Sequence, residues 1–197
     1  MIGNKLEITI NKAIRKANEL KHEYLTLENV LLSLLEDNQV TNVLGKCGAN
    51  TNQLRESLES YLNKHENFSV LSENQVDELS KRHFIDEDLR NLASKNGIRY
   101  QPELSVALQR VIQRAAMHVQ SAGKSQIMGI NLLVALFREE ESYGRQILHS
   151  QGVTRLKVLQ EVAHNLDKPM NFDPDAPLDK DIKGQPDVGQ KNGGKEG

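Results

Sequence analysis

The residues with side chains able to do chemistry are scattered along the chain. The six histidines, His22, His65, His83, His118, His149 and His164, form neither an HExxH pattern nor a two-Cys, two-His set. His22 stands beside Glu23, but one adjacent pair falls short of the ligand number a zinc site requires. Cys47 is the only cysteine, so an intramolecular disulfide and a thiolate pair are both excluded. Its mostly apolar setting, Val43-Leu44-Gly45-Lys46-Cys47, predicts a small buried residue, not a nucleophile. Gly45 and Gly48 flank it without the Lys-Ser/Thr partner of a phosphate loop. Ser105, Ser121 and Ser150 sit in no nucleophile elbow. The expectation is a chain that is not itself an enzyme and holds no metal or cofactor.

Two polar groups remain, and the chemistry they offer is recognition. Glu23 falls at a turn between two helical segments, and Glu28 lies two residues after Thr26, a helix-capping residue. Acidic residues near a helix start ordinarily stabilise that helix locally. Ser105 and Arg110 form the second group, and Arg110 alone reads as a solvated helix charge. Should folding bring Arg110 near the Glu23 turn, the surface carries both signs and can orient a polar protein partner.

Helices must position these groups. Hydrophobic residues make up 38% of the 197-residue chain and aromatics 4%, so aliphatic side chains fill the interior, as suits close-packed helices. Leu6, Ile10, Ala13, Ile14, Ala17 and Leu20 recur at three- and four-residue spacing over residues 4–21. Thr26 starts a strongly apolar second helix, with Asn29 standing where a capping box has Glu or Gln. A third helix over 40–46 ends at Gly48, and a fourth spans 51–62. From Leu104 the pattern returns, with helices from about 104, over 130–137, over 143–149 and over 154–166. Asn11–Ala17 matches Gln109–Ala115, Asn29-Val30-Leu31 matches Asn131-Leu132-Leu133, and Gly48 matches Gly152.

The fold class read from this pattern is all-α: a tandem repeat of two four-helix units packed as one pseudo-two-fold domain over residues 1–166. Repeat 1 spans about 4–64, a connector 65–102, and repeat 2 about 103–166. The first two helices of each half are expected to supply the joint core, since each half alone buries little surface. The connector holds two short helical segments, 73–82 and 85–95, and Pro102 reads as a first-turn residue of the next helix. Residues 167–197 carry four of the five prolines and few apolar side chains, so a flexible tail is expected there. A net charge of -2 gives no pull toward nucleic acid, and no apolar run approaches a membrane span. With no secretory signal, a cytoplasmic location follows.

Three segments carry a resemblance: His22 to Glu28, RVIQRAAMHVQSAG from Arg110 to Gly123, and NLLVALFREEES from Asn131 to Ser142. They resemble the N-terminal domain of the Clp family of AAA+ unfoldases, nearest in pattern to the ClpA type. The likeness covers about residues 1–64 and 103–166. It implies a non-catalytic domain that receives adaptors and protein substrates above an ATPase ring feeding the ClpP peptidase. In ClpA-like proteins the partner is the adaptor ClpS. By similarity Glu23 and Glu28 belong to that contact surface, with Ser105 and Arg110 on the second half, Ser105 standing where the family has Thr. The connector is longer than the family pattern by roughly two helical segments. The ATPase modules are not in these 197 residues and are expected in a parent chain. Other family types, ClpC or ClpB, take other adaptors or unfolded segments directly, and a stand-alone regulator that titrates adaptors is a further reading. The isolated domain is expected to be monomeric.

Overall fold

A computed structural model of the chain describes residues 1–165. The expected tail at 167–197, and Leu166, lie outside the described residues. Helix α1 (Asn4–Glu19) buries Leu6, Ala13 and Ala17, as its spacing predicts. Lys21, at φ 55°, turns the chain into a two-residue strand, β1 (Tyr24–Leu25). All eight residues of α2 (Leu27–Leu34) are buried. The Asn29 side-chain oxygen accepts from the Thr26 backbone N–H at 3.0 Å and from its hydroxyl at 3.0 Å. An Asn thus performs the reciprocal bond of a capping box. Asp37 caps α3 (Asn38–Lys46), and Asn50 caps α4 (Thr51–Leu62). Between α3 and α4 the chain turns at Gly48, whose φ of 91° is closed to most L side chains.

After a 3-10 turn at His65–Asn67, the connector forms α5 (Glu73–His83) and α6 (Glu87–Lys95). A second two-residue strand, β2 (Glu103–Leu104), follows. Repeat 2 then lays down α7 (Val106–Ser121), α8 (Gly129–Leu136), α9 (Tyr143–Ser150) and α10 (Arg155–Asn165). Pro102 does not open α7: the helix starts at Val106, and the Ser105 hydroxyl accepts from Leu108 N–H at 3.3 Å. The extended stretch between them is needed for pairing with β1, a demand that local helix signals do not carry.

The halves form one pseudo-symmetric body. Strands β1 and β2 pair in parallel, Tyr24 against Glu103 and Leu25 against Leu104. The matching place on the other side is an isolated parallel bridge between Ile2 and Ile127. The expected contacts of α8 with α1 and α2 are present, but the third helices bind the halves as well. Helix α3 packs on α8 and α10, while α9 packs on α2 and α4. Each repeat therefore surrenders one helix to the other's core. Leu31, Leu44, Leu58, Leu133, Leu148 and Val158, all at 0% exposure, belong to one cluster. Each fully buried aliphatic side chain is worth about 1.5–3 kcal/mol, which neither half could gather alone.

The connector is anchored at α5. Leu71, Val76 and Tyr100 make a small second core, and Tyr100 donates from its hydroxyl to the His22 carbonyl at 2.6 Å. The Asn18 carboxamide accepts from Arg99 N–H at 2.7 Å and Tyr100 N–H at 3.0 Å, and donates to the Tyr100 carbonyl. Arg99 also pairs with Glu73 and Asp77, both at 2.9 Å. Helix α6 buries no residue at all.

Candidate protein-docking cleft

Three helix starts converge on one cleft of about 590 Å³. They belong to α2, α7 and α9, with Thr26, Ser105 and Ser142 as their caps. Each start presents backbone N–H groups and the positive end of a helix dipole, so the floor of the cleft favours negative charge. Two enclosed carboxylates answer it, with the exposed Glu140 and Glu141 at its edge. Glu139, 8% exposed, accepts from Arg110 Nε at 3.2 Å and Nη2 at 2.6 Å, and also from Arg114. The Arg110 hydrogen bond and then the Arg114 one hold the Glu139 carboxyl below the usual carboxylate range, against the opposing effect of burial. Glu28, 7% exposed, accepts from the Gly144 backbone N–H at 3.2 Å. A side chain at Gly144 would start 3.0 Å from Leu31 and 3.9 Å from Glu28, so glycine leaves room for this contact.

The structure brings Glu28, Ser105 and Arg110 together along this cleft. Glu23 does not line it. Its carboxylate accepts from the Ser69 hydroxyl at 2.5 Å, and its backbone N–H donates to the Ser69 carbonyl at 2.9 Å. The start of the connector thus occupies Glu23. Arg110 pairs with Glu139 and not with the Glu23 turn, because α7 runs alongside α8, whose end delivers Glu139. Glu28 is more enclosed than its place near a helix start suggested, since α9 packs across α2. Arg114, Glu139 and Ser142 are cleft residues that sequence reasoning passed over. Arg114 could have been found from its place one turn after Arg110 on the same face.

The pseudo-symmetric counterpart is a smaller recess of about 190 Å³, lined by Gly3, Lys5, Asp37, Ile127, Met128 and Gly129 among others. Asp37, equivalent to Glu139 by the repeat, accepts from Gln39 N–H at 2.9 Å and Lys5 Nζ at 2.7 Å. A side chain on Gly129 would begin 2.8 Å from Leu34 and 3.1 Å from the Asp37 carboxylate. Close backbone approach therefore fills most of this recess.

Other reactive groups lie away from the cleft. His22 is 1% exposed and stacks on Phe68 with ring centroids 4.2 Å apart. Burial lowers its pKa to about 4, so it is neutral near pH 7. Cys47 is buried, and burial pushes its thiol above the ordinary value. Among the described residues, no group of three or more His, Cys, Asp or Glu could hold a metal, and no helix is long and apolar enough to cross a membrane.

The paired geometry has its match among known families. The model of the Clp repeat N-terminal domain matches residues 1–76 and again residues 66–151. The chain belongs to the Clp N-terminal domain family. A ClpA homolog protein of Fuscovulum blasticum is 33% identical over 174 residues, which cover 88% of this chain and 19% of that protein. The chain thus spans about a fifth of that relative's length. The fold is also that of the Hsp104 N-terminal domain from Candida albicans, with a TM-score of 0.61 and 12% identity. That match covers 87% of this chain and 95% of the solved one. A chain from structural investigations of a malarial protein secretion system matches with a TM-score of 0.58 and 11% identity, covering 83% of this chain and 93% of its own. The two-repeat architecture read from the sequence is therefore the family's.

Proposed function

We propose that this Clp N-terminal domain is a non-catalytic docking domain that receives a ClpS-like adaptor in the cleft between α2, α7 and α9. In this reading the parent is a ClpA-like, ATP-dependent unfoldase that feeds protein substrates to the ClpP peptidase. The observation that carries it is the mixed charge of one cleft, where Arg110, with half its side chain exposed, pairs with the enclosed Glu139 and the enclosed Glu28 lines the same walls. Such an arrangement orients a polar partner and sets register, while the buried Glu139 keeps Arg110 extended and ready. Likeness to a ClpA homolog supports the adaptor class, and the Ser105 hydroxyl offers a further hydrogen-bond group.

Titration calorimetry of the chain with purified ClpS tests the reading. A one-to-one complex is expected, weakened by about tenfold or more in Arg110→Glu, a loss of about 1.4 kcal/mol in binding. Glu28→Gln should weaken it less, since Glu28 exposes only an edge. Glu23→Lys reports whether the footprint extends past the cleft to the connector. Full affinity in Arg110→Glu would remove the cleft from the site. Capture of an unfolded model protein without ClpS, and no binding of ClpS, would favour the ClpC- or ClpB-like mode.

A further inference from the structure

Helix α6 is the part of the molecule the cleft does not explain. It buries none of its nine residues, although it is amphipathic. Leu89 and Leu92 are 59% and 58% exposed, and Ile85, just before the helix, is 88% exposed. Their spacing sets them along one side of the helix. Exposed apolar side chains scattered singly need no account, but three in one row on an otherwise well-packed domain do. The chain is pinned before the helix, where Val76 of α5 enters the small second core, and after it, where Arg99 bonds to Glu73 and Asp77 and Tyr100 to Asn18. Its free side is therefore held out, with the main core uninvolved.

The charges beside that row say what covers it. Asp88 and Lys95 lie seven residues apart, so they share one flank of the apolar row, and both are exposed. Neither makes an ion pair among the described residues. The acidic residues Asp86, Glu87 and Asp88 gather at the start of the helix and Lys95 stands in its last turn. Two such helices laid side by side in parallel would bring acid against acid. Laid antiparallel about a two-fold axis between Leu89 and Leu92, each sets its Leu89 against the other's Leu92. The same arrangement leaves Asp88 and the other copy's Lys95 offset by two residues, about 3 Å along the axis, which the long lysine side chain spans at both ends, and the helix dipoles oppose.

We propose that α6 is a self-association helix, pairing antiparallel with α6 of a second copy of this chain through Leu89, Leu92 and reciprocal Asp88–Lys95 contacts. The face is small against the roughly 800 Å² per partner of a stable complex, so the pairing is weak in free solution. It gains strength where copies are held close, as subunits of one assembly would be.

Sedimentation equilibrium of the full chain, from about 10 μM to about 1 mM, tests this. A rise in average mass toward the dimer is expected at the upper end. Leu89→Asp should abolish it, and since α6 buries nothing, helicity and melting should not change. Asp88→Lys and Lys95→Asp should each abolish it by setting like charges together, and the double variant should restore it. A mixture of the two single variants should likewise associate. Monomer at every concentration would overturn the proposal, as would a dimer indifferent to Leu89→Asp. A dimer that survives both single charge reversals unchanged would overturn the antiparallel register.

Discussion

The two pseudo-equivalent recesses are made from the same parts and end up unlike. Each gathers three helix starts, and each has an acidic residue three positions past the second helix of a repeat. In repeat 1 that residue is Asp37, whose short side chain folds back to cap α3 and take Lys5. In repeat 2 it is Glu139, one methylene longer, which reaches two arginines on α7. Gly129 lets backbone close over the first recess, and the second has about three times its volume, 590 Å³ against 190 Å³. Duplication thus supplies a scaffold twice, and a few side-chain lengths decide which copy keeps a usable surface.

The strongest way to break this comparison is to test whether the scaffold is really shared. Leu31→Ala and Leu133→Ala remove equivalent residues, both at 0% exposure, and each should cost about 2–5 kcal/mol in urea unfolding. Both should leave one cooperative transition. Two resolved transitions in either variant would show that the halves fold separately.

Next come the paired acids. Glu139→Ala leaves Arg114, only 15% exposed, without its carboxylate and should cost about 1–3 kcal/mol. Asp37→Ala removes a helix cap and should cost about 0.5–2 kcal/mol. Since the folded state holds the Glu139 carboxyl below its ordinary value, its contribution is present above about pH 4.3 and lost as pH falls through the lowered value. The stability gap between the wild type and Glu139→Gln should therefore narrow as unfolding is followed from pH 6 toward about pH 2. A gap that widens in acid would contradict the assignment.

The glycines sharpen the comparison further. Gly129→Ala meets Leu34, Asp37 and Val40 at once and should cost about 1–3 kcal/mol. Gly144→Ala meets chiefly the tip of Leu31 and should stay within about 1 kcal/mol, a difference thermal melts can read. Smallest of all is Lys12→Ala. Its ion pair with Glu36 is exposed on both sides, 43% and 45%, so a change of less than about 0.5 kcal/mol is expected. A loss comparable to that of Glu139→Ala would mean that the two first helices are clamped alike.

Much of the fold was legible because helices declare themselves locally. The stripe from Leu6 to Leu20, the cap at Thr26, and the stops at Gly48 and Gly152 each rest on neighbours a turn away. The short strands were not legible, since two residues carry no periodicity and the pairing partner lies far along the chain. Pro102 misled for the same reason. Of the residues marked for recognition, Glu28, Ser105 and Arg110 reach one cleft and Glu23 does not, being held by Ser69. The expectation of a monomer took the apolar stripes to be largely used inside the two-repeat fold, and α6, in the connector, carries one that stays exposed.

The order of apolar and polar residues showed on its own that this chain makes two similar sets of helices. Period and capping act over a few residues, so they survive any change in surroundings. Only the tertiary structure decided which helix starts meet, that Arg110 answers to Glu139, and that the connector takes Glu23. Those outcomes depend on α3 and α9 crossing between the halves, and that exchange is set by how whole faces pack.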